Sequence, residues 1–107
     1  MCGRFTLFKA IAILKEYFGL DEVSVQLKPH WNIAPSQEIA AIPNHAKKTV
    51  ELFKWGLVPF WARDQSIGNR MINARAETLS TNAAFREAFE QRRCLVPVCG
   101  FYEWQRE

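Results

Sequence analysis

Hydrophobic and polar positions alternate from the first residues. In the opening MCGRFT and the Leu7 after it, Phe5 and Leu7 interleave with Arg4 and Thr6. This two-residue period predicts a strand with Cys2, Arg4 and Thr6 on one face. The period then lengthens. LFKAIAILKEYFGL (7–20) reads as an amphipathic helix stopped by Gly19, a residue suited to a C-terminal cap. HWNIAPSQ (30–37) carries turn chemistry around Pro35 and predicts a loop. EIAAIP (38–43) and TVELFKWG (49–56) predict two strands around the polar NHAKK, hence a hairpin. LVPFWARDQSIGNR (57–70) predicts a long loop. MINARAET (71–78) predicts a short strand with Asn73, Arg75 and Glu77 on one face. AAFREAFEQRR (83–93) predicts a helix with Ser80, Thr81 or Asn82 as its cap. CLVPVCGFYEW (94–104) predicts strands broken near Gly100.

These elements sum to an α+β fold, a mixed, mostly antiparallel and barrel-like sheet with a few short helices. One domain covers residues 1–107. The last apolar strand ends at Trp104, three residues before the chain stops. Such a strand either sits at a sheet edge or belongs to a larger fold, which would leave the sheet incomplete at its C-terminus. An incomplete edge predicts self-association.

Composition narrows the classes. A chain of 107 residues that is 49% hydrophobic can build one core. Eight Phe, four Trp and two Tyr are many for that length, and leave aromatics over for a contact surface. The net charge of +3 fits an anionic partner. No charged leader or long apolar run is present, so neither a signal peptide nor a membrane span is expected, and the expected compartment is the cytoplasm. The three cysteines, Cys2, Cys94 and Cys99, form no C-x-x-C pair and no cluster with His30 or His45. A disulfide framework, a metal site and a cofactor are therefore not expected. Cys94 and Cys99 flank LVPV and read as buried small hydrophobes.

The chemistry-bearing residues are few. Cys2, once Met1 is gone, would carry a free α-amine and a thiol on adjacent carbons. That aminothiol condenses with an aldehyde to an imine and closes it to a thiazolidine ring. Asn73 and Arg75, two apart, make an anion-binding pair, because the guanidinium fork grips phosphate and the amide orients a nucleophile or carbonyl. Alternatively they form the solvated side of a sheet. Glu103, between Tyr102 and Trp104, is a candidate for partial desolvation and so for acid/base work; otherwise it is a surface carboxylate. Phe60 and Trp61, side by side in a loop near Arg63, suit stacking on unpaired bases.

Cys2 together with WNIAPSQ, WGLVPFWA, INARAET and GFYEW, in that order, resembles the SOS response-associated peptidase family, the abasic-site processing proteins. The resemblance runs through the whole chain and covers about the N-terminal half of a family member. It implies a DNA-damage (SOS) function. Met1 is removed, which gives the peptidase its name, and Cys2 then cross-links covalently to the aldehyde of an abasic site in single-stranded DNA. The thiazolidine shields the lesion, and related lyase-type activity is implied. By match of motif, Asn73 orients the Cys2 amine, Glu103 moves protons, and Arg4 and Arg75 hold flanking phosphates. Asn32 and Pro35 shape the groove, and Phe60 and Trp61 wedge or stack at the lesion. The family's catalytic histidine lies beyond the FYEW motif, and neither His30 nor His45 matches it. Three other readings stay open: a non-covalent single-stranded nucleic-acid binding module, an inactive truncated remnant, and an amidohydrolase using Cys2 as nucleophile.

Overall fold

A computed structural model describes residues 2–105. Strand β1 (Arg4–Leu7) is followed by helix α1 (Ile11–Phe18), then β2 (His30–Ile33), β3 (Glu38–Pro43) and β4 (Glu51–Lys54). Two 3-10 turns (Gln65–Arg70 and Ala76–Thr78) and helix α2 (Arg86–Gln91) precede the short strands β5 (Cys94–Leu95) and β6 (Gly100–Tyr102). The strands form two antiparallel three-stranded sheets, ordered β2-β1-β6 and β4-β3-β5. The α+β class and the antiparallel pairing are those expected. The sheets stay separate rather than closing into one barrel.

The alternation in β1 works as expected at Arg4, which is exposed, and at Phe5 and Leu7, which are buried. Thr6 departs from it, buried with its hydroxyl donating to the Gly100 carbonyl at 3.3 Å. Phe5 and Leu7 join Leu14, Leu20, Ile33, Ala40, Ile42 and Val50 in one core. Burying a side chain such as Phe5 or Leu14 contributes about 1.5–3 kcal/mol. Helix α1 ends as its sequence dictates. Gly19 takes the left-handed conformation (φ 62°), and the Leu20 N–H reaches back to the Lys15 carbonyl at 2.9 Å. The β3–β4 hairpin pairs Glu38 with Lys54 and Ala41 with Glu51.

Four expectations fail. Residues 30–33 are a strand, not loop, because β1 offers them a partner: Phe5 faces Ile33 and Leu7 faces His30, with an irregular register between. Residues 71–78 are not a strand. They run irregularly, with a bend at Ile72, to an extended Arg75 and then coil into the Ala76–Thr78 turn, outside every ladder among the described residues. Asn73, Arg75 and Glu77 therefore share no strand face. Cys94 and Cys99 are exposed rather than buried, one on the edge strand β5 and one just before the edge strand β6. Helix α2 is shorter than expected, since residues 83–85 form a turn; its N-cap is Phe85, which makes no side-chain cap bond, and the Asn82 side chain instead accepts from the Ala84 N–H at 2.9 Å within that turn.

Candidate functional site

The outer face of the β2-β1-β6 sheet is set by register. Arg4 on β1 stands opposite Tyr102 on β6. Asn32 on β2 precedes the core residue Ile33 and so leaves the core side. These residues, with Gly3, Glu103 and Trp104, line an open cleft of about 700 Å³. One acid, one guanidinium and one amide thus converge between aromatic walls. Glu103 is exposed, so the desolvation expected of it is not found. The Tyr102 hydroxyl spans the sheet and donates to the Trp31 carbonyl at 2.9 Å.

Cys2 lies next to this cleft but turns the other way. It precedes β1, is not bound by that strand's pleat, and packs on the Phe5 side. There it lines an apolar pocket of about 370 Å³ with Phe5, Ile39, Trp55, Val96, Val98 and Phe101. The expected shared face of Cys2, Arg4 and Thr6 is corrected accordingly. Asn73 holds Cys2 from 71 positions along the chain, its Nδ2 donating to the Cys2 carbonyl at 2.8 Å. The segment 71–73 is itself fixed, because the Trp55 indole N–H donates to the Ile72 carbonyl at 3.0 Å and the Leu57 N–H to the Met71 carbonyl at 3.0 Å. Trp55 also packs on Phe5, with ring centres 5.3 Å apart. Trp55 thereby shares a pocket with Cys2 and holds the residue that precedes Asn73.

The remaining candidates stand apart. Phe60 is 76% exposed, and Trp61 lines a separate dent with Arg63, Asp64, Ser66 and Arg70. That loop is shaped by Asp64, whose carboxylate accepts from the Ser66 N–H at 2.9 Å. The bond holds the Asp64 carboxyl below its ordinary range, with the Ser66 hydroxyl adding to the effect. Arg75 is exposed at the entry to the Ala76–Thr78 turn, and Pro35 is half-buried beside Ser36, which has a positive φ of 71°. His30 Nδ1 accepts from the Asn32 N–H at 3.1 Å, and His45 faces Glu51. Among the described residues no group of three or more His, Cys, Asp or Glu could hold a metal ion, and no helix is long and apolar enough to cross a membrane. The site residues not singled out from sequence are Gly3, Tyr102 and Trp104. The signal for Tyr102 was β6 itself, which sets it opposite Arg4.

The sequence and the fold have counterparts in known proteins. The chain is 44% identical over 109 aligned residues to the abasic site processing protein YoaM of Bacillus subtilis, covering 99% of this chain and 48% of that protein. It is 35% identical over 80 residues to the abasic site processing protein YMR114C of Saccharomyces cerevisiae, covering 73% of this chain and 22% of that protein. A crystal structure of a protein from Bacteroides thetaiotaomicron superposes with a TM-score of 0.84 at 25% identity, covering 99% of this chain and 50% of the other. The chain spans about half the length of the Bacillus relatives it matches. The model of one family, the SOS response associated peptidase (SRAP) family, matches residues 1–107. With that match extending from end to end, the chain belongs to the SRAP family.

Proposed function

We propose that the chain processes abasic sites in single-stranded DNA, in the cytoplasm, by covalent capture on Cys2. The observation that carries this reading is the Asn73–Cys2 hydrogen bond of 2.8 Å, made beside a cleft that holds Arg4, Asn32 and Glu103. It supports a terminus held in place for reaction rather than frayed. The relatives' names point to the same lesion. Met1 lies outside the described residues, and its removal is part of the proposal.

In the proposed reaction the Cys2 amine adds to the aldehyde carbon of the ring-opened sugar and water leaves, giving an imine. The Cys2 sulfur then adds to the imine carbon, and the thiol proton passes to nitrogen. The adduct is the sum of protein and DNA less one water. Glu103 carries protons between these steps, Asn73 orients Cys2, and Asn32 and Pro35 shape the groove. Arg4 and Arg75 hold phosphates, and Phe60 and Trp61 stack at the lesion from their loop. Reversal opens the ring and hydrolyses the imine, taking up one water; the lyase-type activity is β-elimination from the imine, in which a proton leaves the carbon next to the imine carbon and the 3′ phosphate leaves with its bonding pair; and the peptidase activity is hydrolytic release of Met1. The unit responsible is one domain over residues 1–107, the N-terminal half of the family fold. The exposed edge strands β5 and β6 give it a surface for self-association.

The test is intact-mass analysis after incubation with single-stranded DNA carrying one abasic site. The expected result is loss of Met1 and an adduct short of the summed masses by one water. Recovery of unmodified chain with Met1 removed overturns the covalent reading. If binding persists in that case, the function is that of a non-covalent single-strand module.

A further inference from the structure

Phe8 and Trp31 form a parallel stack on the surface, with ring centres 5.6 Å apart and planes 9° apart. Trp31 remains 58% exposed. A solvent-facing ring pair of this kind leaves apolar area uncovered and a flat face open. The pair is also held in position. The Trp31 carbonyl accepts the Tyr102 hydroxyl at 2.9 Å, and the next amide, that of Asn32, donates to His30 at 3.1 Å. Both Tyr102 and Asn32 are walls of the cleft. The stack therefore adjoins the cleft through the Trp31 backbone.

We propose that the Phe8–Trp31 stack is a base-stacking platform for a nucleotide of the single strand whose lesion occupies the cleft. It rests on the single-strand reading above and extends it to a further position on the strand. Charge argues for nucleic acid over an apolar peptide. Arg4 stands in the cleft, Lys9 Nζ lies 5.9 Å from the Phe8 ring centre, and the chain carries a net +3. A strand running from the one to the other would meet a cation at both ends and a flat ring pair at the far end, the pattern of sequence-tolerant single-strand binding. Four residues of nearly extended backbone separate Arg4 from Phe8, roughly 13 Å. The platform thus takes a base beyond those that flank the lesion, on one side only.

The experiment uses undamaged oligonucleotides, so it does not depend on Cys2 chemistry. Affinity of the chain is measured for single strands of increasing length, beside Trp31→Ala, Trp31→Phe and Phe8→Leu, each checked for a cooperative melt. Affinity should rise at the length that reaches the platform. Trp31→Ala should remove that rise, a loss of roughly fivefold or more on long strands, and Trp31→Phe should restore most of it. Where Trp31→Ala does not fold, Phe8→Leu carries the comparison. A second readout is a 2-aminopurine base moved along an abasic strand. Its emission should be quenched at a position on one side of the lesion, and the quench should vanish in the folded variant. Equal affinity at every length, or a quench indifferent to Trp31 and Phe8, overturns the platform. Failure of the mass-shift test with the length dependence intact would sink covalent capture and leave the platform standing.

Discussion

Asn73 reaches across 71 positions of sequence to bond the backbone carbonyl of Cys2 at 2.8 Å. Cys2 and a loop outside the sheets are thus fixed to each other and, through Trp55, to the core. Asn73→Ala leaves that partly buried carbonyl without its donor. A lost bond of this type costs about 1 kcal/mol, so the adduct should form roughly fivefold more slowly. Single-turnover cross-linking by denaturing gel measures it. An unchanged rate removes Asn73 from the orienting role.

Cys2→Ala should abolish the adduct, and Cys2→Ser should give only a labile imine that borohydride traps. The exposed thiols Cys94 and Cys99 should be dispensable, so Cys99→Ala should still cross-link. Adduct from Cys2→Ala would reject the mechanism.

The loop that presents Phe60 and Trp61 is closed by two glycines. Gly56 has a φ of 138°, and a side chain there would put its Cβ 2.3 Å from the Gly68 carbonyl oxygen. Gly56→Ala should therefore destabilise the fold by about 2–4 kcal/mol, from backbone strain plus the clash. Gly3→Ala, with open space at its Cβ, is the control. Urea midpoints compare them, and similar midpoints contradict the packing.

What the sequence disclosed depends on whether a signal was local. The alternation at Arg4–Leu7, the helical period ending at Gly19 and the hairpin around residues 44–48 are properties of neighbouring residues, and all three formed. The strand at His30–Ile33 depends on β1, a partner about 25 residues away, and its turn-forming neighbour Pro35 pointed elsewhere. The reverse holds at 71–75, where alternation was present but no ladder received it. The cleft was partly legible: Arg4, Asn32 and Glu103 were expected and do line it. The turn of Cys2 toward Phe5 was not, because residues ahead of a strand escape its pleat.

The Asp64 cap gives a pH signature. Its folded carboxyl titrates below the ordinary 3.8 because the charged form accepts from Ser66. The contribution to loop order is present above 3.8 and is lost as pH falls through the lower folded value. The Ser66 amide resonance should titrate with a midpoint below 3.8 and should not titrate in Asp64→Ala. A midpoint at or above 3.8 would remove the cap.

Binding of undamaged single strands should weaken with salt, because in the proposed complex Arg4 and Arg75 would displace condensed cations from phosphates. The slope of log K against log salt should approach roughly −0.7 per contact. Arg75→Ala should make it shallower by about that amount. A slope indifferent to Arg75 would place that side chain away from the strand.

The final prediction concerns the segment shared by both sheets. Strands β5 and β6 are edge strands, one in each sheet. Leu95, Val96, Val98 and Phe101 on or between them are exposed, and Phe101 is 65% so although it pairs with the buried Phe5. Edge N–H and C=O groups beside exposed apolar side chains favour pairing with another chain. A second copy presents the same edge, so association should be concentration-dependent in sedimentation. Phe101→Lys should shift it toward monomer, since a charge on the edge opposes pairing. Tyr17→Lys, on the exposed side of α1, should not. Because Phe101, Val96 and Val98 also line the Cys2 pocket, pairing would cover that pocket, and adduct yield per chain should fall as concentration rises. A monomer at every concentration, with adduct yield constant, rejects the edge as an association surface. An associated species that Phe101→Lys leaves intact would move the contact to another face.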